Sequence, residues 1–333
     1  MSTHTHTQTL IPIKLHRHHF RDIPVAITGI SLGFITLGNL WGDLGAIWIK
    51  DFANLFAVIA VTLMLTKICL HPQKSFEEMQ HHMIGSFYPT IGMTLMVFSN
   101  FVATSLNLTI GRCIWWIGII IFTILAVLFI SAQAKDFSWD NVLPSWFVPT
   151  VGIGVAAVTS GAVKMAHFSR IFFFIAFFVY LFTLASFIYR VASHGRVCED
   201  KKLTVAVLAA PPSVCLAGYM ATTTTPSPVI LCILVPLALI STFYVYTLIP
   251  KFLRIPFHPG LAPLTFPLAV GSVAIQRFTN YLASTNSMFS TLFYQVFYIE
   301  FFIATLVIGY IVYKLLILIF HSLLNLSRDS MIH

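Results

Sequence analysis

A chain of 333 residues that is 58% hydrophobic and 9% charged cannot form a water-exposed surface, because soluble domains carry about a quarter of charged residues. This composition excludes a soluble globular protein and predicts an integral membrane protein. The net charge of +8 comes from Lys and Arg scattered between apolar segments, which favours the positive-inside bias of membrane loops over a nucleic-acid partner.

Ten apolar segments follow in chain order, each close to the length of about 20 residues with which a helix crosses the hydrocarbon core of a bilayer. They cover residues 24–42, 53–71, 86–105, 112–132, 144–163, 169–190, 203–221, 228–249, 262–282 and 290–319. This division predicts a transmembrane domain over 24–319, with polar cytoplasmic tails at 1–23 and 320–333. It places 14 Lys and Arg residues on one side and 5 on the other, as expected for a plasma-membrane protein with both termini inside.

The odd-numbered segments differ in composition from the even-numbered ones. Even segments are bulky, such as FFFIAFFVYLF in the sixth, whereas odd segments are rich in Gly, Ser and Thr and each carries a proline. These prolines, at intervals of 65, 60, 63 and 55 residues, are Pro24, Pro89, Pro149, Pro212 and Pro267. The spacing predicts a helical hairpin repeated five times. Because small residues let helices approach closely, we expect the odd segments to form an inner ring around an axial space, each bent at its proline.

The inner segments carry no charged residue between their ends, so their hydroxyls and glycines are the predicted lining of the axial pathway. These candidates are Thr28, Gly29, Gly33, Thr36, Thr90, Gly92, Thr94, Thr150, Gly152, Ser213, Thr265, Gly271 and Ser272. A lining of this kind binds a dehydrated ion weakly, which suits conduction. Lys and Arg at the two mouths would attract small anions.

Nothing in the sequence indicates catalysis or a bound cofactor. The chain lacks the HExxH, GxSxG and P-loop patterns of enzymes, and we expect no metal site. Its five cysteines are scattered without metal-ligand or disulfide spacing, which is typical of small apolar side chains. The five histidines between residues 4 and 19 favour a polar tail over a metal site, because their spacing fixes no geometry.

Four of the odd segments together resemble one known family. The run PVAITGISLGFITLGNLW at 24–41, PSWFVPTVG at 144–152, APPSVCLAGYM at 210–220 and LTFPLAVGSVA at 264–274 are similar to the tellurite-resistance/dicarboxylate transporter (TDT) family. Its members include bacterial tellurite-resistance proteins, fungal malate permeases and sulfite pumps, and plant slow-type anion channels. The resemblance covers about residues 20–315.

The resemblance implies an all-α membrane fold of ten transmembrane helices, arranged as five hairpins with quasi-fivefold symmetry around a central pore. It also implies a homotrimer with one pore per subunit. In the family a phenylalanine of the ninth helix plugs the pore, and Phe266 stands at that position in LTFPLA. An aromatic ring on the axis would block ions by its size and by excluding water.

One acidic residue, Glu300, lies within a predicted span, where charge is costly and usually functional. We expect it to turn inward or to find a partner such as Arg277 or a neighbouring subunit. A structural role is favoured over a proton relay. The sequence therefore predicts an anion channel or transporter occluded by Phe266. A proton-coupled C4-dicarboxylate carrier and, from another class, a membrane scaffold or binding protein that does not transport are the alternatives.

Overall fold

The computed structural model describes residues 18–195 and 197–329, and every regular element in this part of the chain is helical. Residues 1–17 and 330–333 of the two predicted tails, with the histidines at 4, 6 and 16, lie outside the described residues. The α-helices are α1 His18–Arg21, α2 Ala26–Asp43, α3 Ile47–Leu70, α4 Pro72–Gln80, α5 Thr90–Ser105, α6 Leu108–Lys135, α7 Phe147–Val151, α8 Gly154–Thr159, α9 Ala166–His194, α10 Ala210–Thr222, α11 Pro228–Phe252, α12 Thr265–Ser284 and α13 Ser290–Asp329.

Seven helical segments of the described residues are long and apolar enough to cross a membrane. They are Ile47–Leu70, Leu108–Lys135, Ala166–His194, Lys201–Thr222, Pro228–Phe252, Pro259–Ser284 and Ser290–His321. A multi-pass membrane protein is therefore confirmed. The other three predicted spans coincide with helical structure that is shorter or more polar, namely α2, the 16-residue α5, and the pair α7 and α8.

Burial divides the helices into two sets, which correspond to the odd and even segments of the sequence. In the most apolar stretch of Pro259–Ser284, 89% of the residues are buried, whereas in that of Ala166–His194 the share is 28%. The helices α2, α5, α8, α10 and α12 each pack on a long helix that follows in the chain: α3, α6, α9, α11 and α13. The five also contact one another in the closed order α2, α5, α8, α10, α12 and again α2.

The five prolines lie where α-helices begin. Pro24 precedes α2, Pro89 directly precedes α5, and Pro149, Pro212 and Pro267 are each the third residue of their helix. The first-turn N–H groups of an α-helix have no intrahelical acceptor, so proline costs no helical hydrogen bond there. A bend of each inner segment at its proline stays a prediction. Stretches of 3₁₀ helix, three to eleven residues long, precede four of these starts. They are Gly85–Phe87, Pro144–Trp146, Glu199–Ala209 and Pro259–Leu264.

Two glycines permit close contacts between helix backbones. A Cβ atom on Gly92 would lie 2.5 Å from the Gly118 carbonyl oxygen and from the Phe122 amide, and one on Gly33 would lie 2.4 Å from the Thr265 Cβ. Such distances are far inside van der Waals contact. Small residues at these positions therefore let α5 pack against α6 and α2 against α12.

A buried ion pair joins the ends of α3 and α4. Lys67 is 1% exposed, and its Nζ lies 2.8 Å from the Glu78 Oε2 and donates to the Ile23 carbonyl at 2.7 Å. The Tyr88 hydroxyl donates to the same carboxylate at 2.8 Å. The network fixes the segments that lead into α2 and α5, because Lys67 bonds to Ile23 before α2 and Glu78 bonds to Tyr88 before α5.

Replacing Glu78 by Gln is expected to destabilise the protein, since it leaves the Lys67 ammonium buried without a counter-charge. Breaking a buried pair from one side costs about 3 kcal/mol or more. The matched control is Glu77→Gln, which changes an exposed carboxylate one residue earlier and should leave stability unchanged. Thermal unfolding of the detergent-solubilised protein measures both. Equal unfolding temperatures for the two variants would contradict a stabilising role of the pair.

Candidate functional site

Two cavities lie among the inner helices, and Phe266 is the one described residue that lines both. The narrow cavity, of about 40 Å³, is lined by the N-terminal parts of α2, α5, α7, α10 and α12. The wide cavity, of about 390 Å³, is lined by the C-terminal parts of α2, α5 and α12 together with α8. These segments therefore run in the same direction, and the Phe266 ring stands where one cavity ends and the other begins.

The narrow cavity is apolar and small. Of the described residues that line it, Thr90 alone carries a polar side chain, and its hydroxyl is engaged with the Phe87 carbonyl at 2.6 Å and the Thr28 hydroxyl at 2.8 Å. A volume of about 40 Å³ holds roughly one water molecule. Phe87, Phe147 and Phe266 contribute aromatic rings to this lining.

The wide cavity is polar and carries charge. Lys50 and Arg277 supply two cations to its lining, and Asp43 supplies one anion. Arg277 also donates from Nη1 to the Ala217 carbonyl at 2.8 Å, which holds the guanidinium between α12 and α10. Two amides, Asn39 and Asn100, face the same space, and their side-chain oxygens are buried without a hydrogen-bond partner among the described residues. The wide cavity thus presents cations and amide groups to a solute.

One stripe of α12 connects the two cavities. Phe266, Val270, Val273 and Arg277 line them in sequence, and spacings of four, three and four residues place all four side chains on one helix face. Arg277 lies two turns before the end of α12 at Ser284. The expectation that charge is confined to the ends of the inner segments is therefore corrected, because Arg277 faces the wide cavity from within its helix.

The structure places part of the predicted lining at these cavities. Gly29, Thr90, Gly152 and Pro267 line the narrow cavity, and Thr36 lines the wide one. The remaining candidates pack between helices or turn toward their own backbone. In this second group are Thr28, Gly33, Gly92, Thr94, Thr150, Ser213, Thr265, Gly271 and Ser272.

Four hydroxyls of the second group make hydrogen bonds within their own helices. Thr94, Thr150, Ser213 and Ser272 each donate to the carbonyl four residues earlier in the chain. A hydroxyl inside a membrane protein satisfies its donor at low cost in this way. The sequence shows that these residues are polar, but it does not show that their hydroxyls already donate to their own helix backbone.

Sequence reasoning missed most of the polar lining of the wide cavity. Asn39, Asp43 and Lys50 were not among the expected site residues, and neither was Asn100. One signal was available: Thr36, Asn39 and Asp43 recur at intervals of three and four residues, which places them on one face of α2. A polar stripe on an otherwise apolar helix indicates a face that lines a water-accessible cavity.

Glu300 is 4% exposed and lies apart from both cavities. The expected pairing with Arg277 is not made, because the Arg277 guanidinium bonds to Ala217 and the acid whose charge acts on it is Asp43. The Glu300 Oε2 has no hydrogen-bond partner among the described residues. The residue faces inward from α13 toward α12, with a Cβ on Gly271 falling 3.4 Å from Oε2.

The sequence is similar to one protein family and to two curated relatives. The sequence profile of the family described as voltage-dependent anion channel (SLAC1) matches residues 22–317. Two Methanocaldococcus jannaschii proteins, each described as an uncharacterized transporter, are 27% identical to the chain. One match extends over 158 residues, 43% of this chain and 46% of the relative, and the other over 155 residues, 42% and 44%. The chain is matched over less than half the length of these curated relatives.

Proposed function

This chain belongs to the voltage-dependent anion channel family, and from that premise we propose that it is an anion channel whose central pore is closed by the side chain of Phe266. The pore runs through the narrow and wide cavities along the axis of the five inner helices. The observation that carries the proposal is that Phe266 alone lines both cavities among the described residues. A ring at that place excludes water and leaves no room for an ion.

The sign of the permeant ion follows from the charges around the two cavities. Lys50 and Arg277 outnumber Asp43 in the wide cavity. At the narrow cavity the first residues of α5, α10 and α12 are close together, and the partial positive charges of helix N-termini favour anions. Both features favour small anions over cations, and the apolar lining of the narrow cavity would bind an anion weakly enough for it to leave.

The proposal includes the arrangement of the whole protein. We take α2, α5, α7 with α8, α10 and α12 as the inner members of five hairpins, which together make ten transmembrane helices in approximate fivefold symmetry. Their outer members expose large apolar side chains, which suits contact with lipid and with neighbouring subunits of a homotrimer. The side predicted to carry five basic residues holds Lys50, Arg112, Lys164, Arg170 and Arg277. Because the side with fewer basic residues faces outward, the wide cavity opens to the outside of the plasma membrane and the termini are cytoplasmic.

The two alternatives are less well supported by the site. A proton-coupled dicarboxylate carrier needs a titratable group on the substrate path. Glu300, the acid expected for this role, lies outside both linings, and Asp43 lines the wide cavity alone, on one side of Phe266. A scaffold that does not transport gives no reason for two aligned cavities with one shared residue. Because catalytic patterns are missing from the sequence, we also propose that the protein is not an enzyme.

Anion efflux from proteoliposomes that contain the Phe266→Ala variant, in which the proposed plug is removed, and that are loaded with potassium nitrate tests this function. A channel moves charge, so we expect efflux to accelerate at least about tenfold when a potassium ionophore supplies the counter-current, the factor that corresponds to about 1.4 kcal/mol. An electroneutral proton-coupled carrier would release anion at the same rate without the ionophore. Liposomes without protein give the baseline. Efflux that does not depend on the ionophore, or that equals the baseline, would contradict an anion channel.

A further inference from the structure

Three polar side chains without partners meet behind α12, on the side away from the cavities. The Glu300 Oε2 on α13 and the Thr242 Oγ1 and Tyr246 hydroxyl on α11 are all buried, and none has a hydrogen-bond partner among the described residues. Thr242 and Tyr246 are four residues apart and so share one face of α11. A Cβ placed on Gly271 would lie 3.4 Å from both the Glu300 Oε2 and the Thr242 Oγ1. The Glu300 and Thr242 oxygens therefore meet against the α12 backbone, and the charge of Glu300 reaches the Tyr246 hydroxyl.

Among the described residues, no opposite charge balances Glu300. On α11, the group that faces Glu300 is the Tyr246 hydroxyl, which is close enough for the charge of Glu300 to act on it. From α12 its nearest neighbour is Gly271, and α2 contributes Trp41, which packs against Phe301 and donates to Thr305. The turn Pro259–Leu264, which also contacts α13, has no titratable side chain. A lone carboxylate in such surroundings is very costly, whereas a neutral carboxylic acid is tolerated.

The position of this cluster relates it to the gate. Gly271 follows Phe266 by five residues, which places the two about 140° apart around the helix axis. One face of α12 thus carries Phe266 toward the cavities, and the opposite side rests on Glu300 and Thr242. A neutral acid fits this contact as it stands. An ionised one needs water around it, and the water would separate α12 from α11 and α13.

We propose that Glu300, Thr242 and Tyr246 form a buried proton-binding site behind α12, in which protonation of Glu300 favours the closed position of Phe266. The ligand is a proton, which the Glu300 carboxylate binds beside the two hydroxyls. Deprotonation loosens the contact at Gly271 and shifts α12 toward the open position. The site itself stands on burial and geometry, and only its effect on flux rests on the proposed channel function.

Infrared spectroscopy of the intact protein tests the site without reference to transport. At neutral pH, subtracting the Glu300→Gln spectrum from that of wild type should leave the carbonyl band of a protonated carboxyl group. Glu77→Gln, the matched change of an exposed carboxylate, should leave carboxylate bands instead. If removing Glu300 also removes carboxylate bands, the residue is ionised and the proposal is overturned.

Anion flux as a function of pH tests the coupling to the gate. We expect wild-type flux to rise about tenfold between about pH 6 and about pH 9, where buried glutamates titrate. Glu300→Gln imitates the neutral acid and should stay at the low level throughout. Phe266→Ala should be high and independent of pH, because no ring remains to be moved. A pH response that survives in Glu300→Gln would overturn the coupling. A silent Phe266→Ala would count against the channel and leave the infrared result standing.

Discussion

Replacing Phe266 by Ala is expected to raise anion conductance about 100-fold, the factor that corresponds to about 2.7 kcal/mol off the barrier. The substitution removes the side chain that, among the described residues, alone lines both cavities, and it should join them into a continuous path. Water can then follow the ion, so the cost of dehydration at the constriction falls. Planar-bilayer recordings in symmetric potassium chloride measure the change directly.

Phe278→Ala is the matched control for this experiment. Phe278 lies on the same helix and is 8% exposed, against 9% for Phe266. Its ring packs edge-on against Phe293 at 4.8 Å and lines neither cavity. Its loss creates a void in helix packing, which costs about 3 kcal/mol of stability, but opens no path. Equal conductance of the two alanine variants would show that leakage comes from loosened packing and not from removal of a gate.

Charge reversal in the wide cavity is expected to produce the second large effect. In the Phe266→Ala background, Arg277→Glu changes the lining from two cations and one anion to one cation and two anions. A lining of one sign changes the local concentration of ions by about tenfold or more. Chloride conductance at low salt should therefore fall about tenfold. The loss should shrink in about 1 M salt, where charges are screened within about 3 Å.

Lys50→Glu is a second, independent test of the same charge. Arg277 also bonds to the Ala217 carbonyl, so its replacement alters packing as well as charge. The Lys50 ammonium lies over the Phe101 ring, 5.6 Å from its centroid. Its replacement therefore breaks no hydrogen bond between helices like that of Arg277 to Ala217. Lys164→Glu reverses an exposed charge outside both cavities and is the control. Unchanged chloride conductance in both Arg277→Glu and Lys50→Glu would contradict a role of the lining charge in anion entry.

Much of the architecture was accessible from the sequence because lipid imposes strong constraints on composition. The membrane class, the family resemblance and the positions of all ten helical segments were predicted, and the class and the family are confirmed. Lengths were harder to predict. The segment at 144–163 reads as one span, yet it contains the five-residue α7 and the six-residue α8. Buried inner helices are held by packing on neighbours, so they tolerate breaks that a helix facing lipid cannot.

The lining of the pathway was less predictable, because it depends on which way each polar group turns. Thr94 and Ser272 were natural candidates, but their hydroxyls bond to their own helix. Arg277 was assigned to a helix end, although packing of α12 against α10 brings its guanidinium to the wide cavity. Phe266 was found through its place beside Pro267 in a family motif. Periodicity alone could not single it out among 31 phenylalanines.

The reversal potential of the Phe266→Ala channel in a potassium chloride gradient tests the central claim most directly. A pore that attracts anions through Lys50, Arg277 and the N-termini of α5, α10 and α12 should carry current almost entirely as chloride. The reversal potential should then lie close to the equilibrium potential of chloride. A value near zero, or near that of potassium, would contradict an anion-selective pore closed by Phe266.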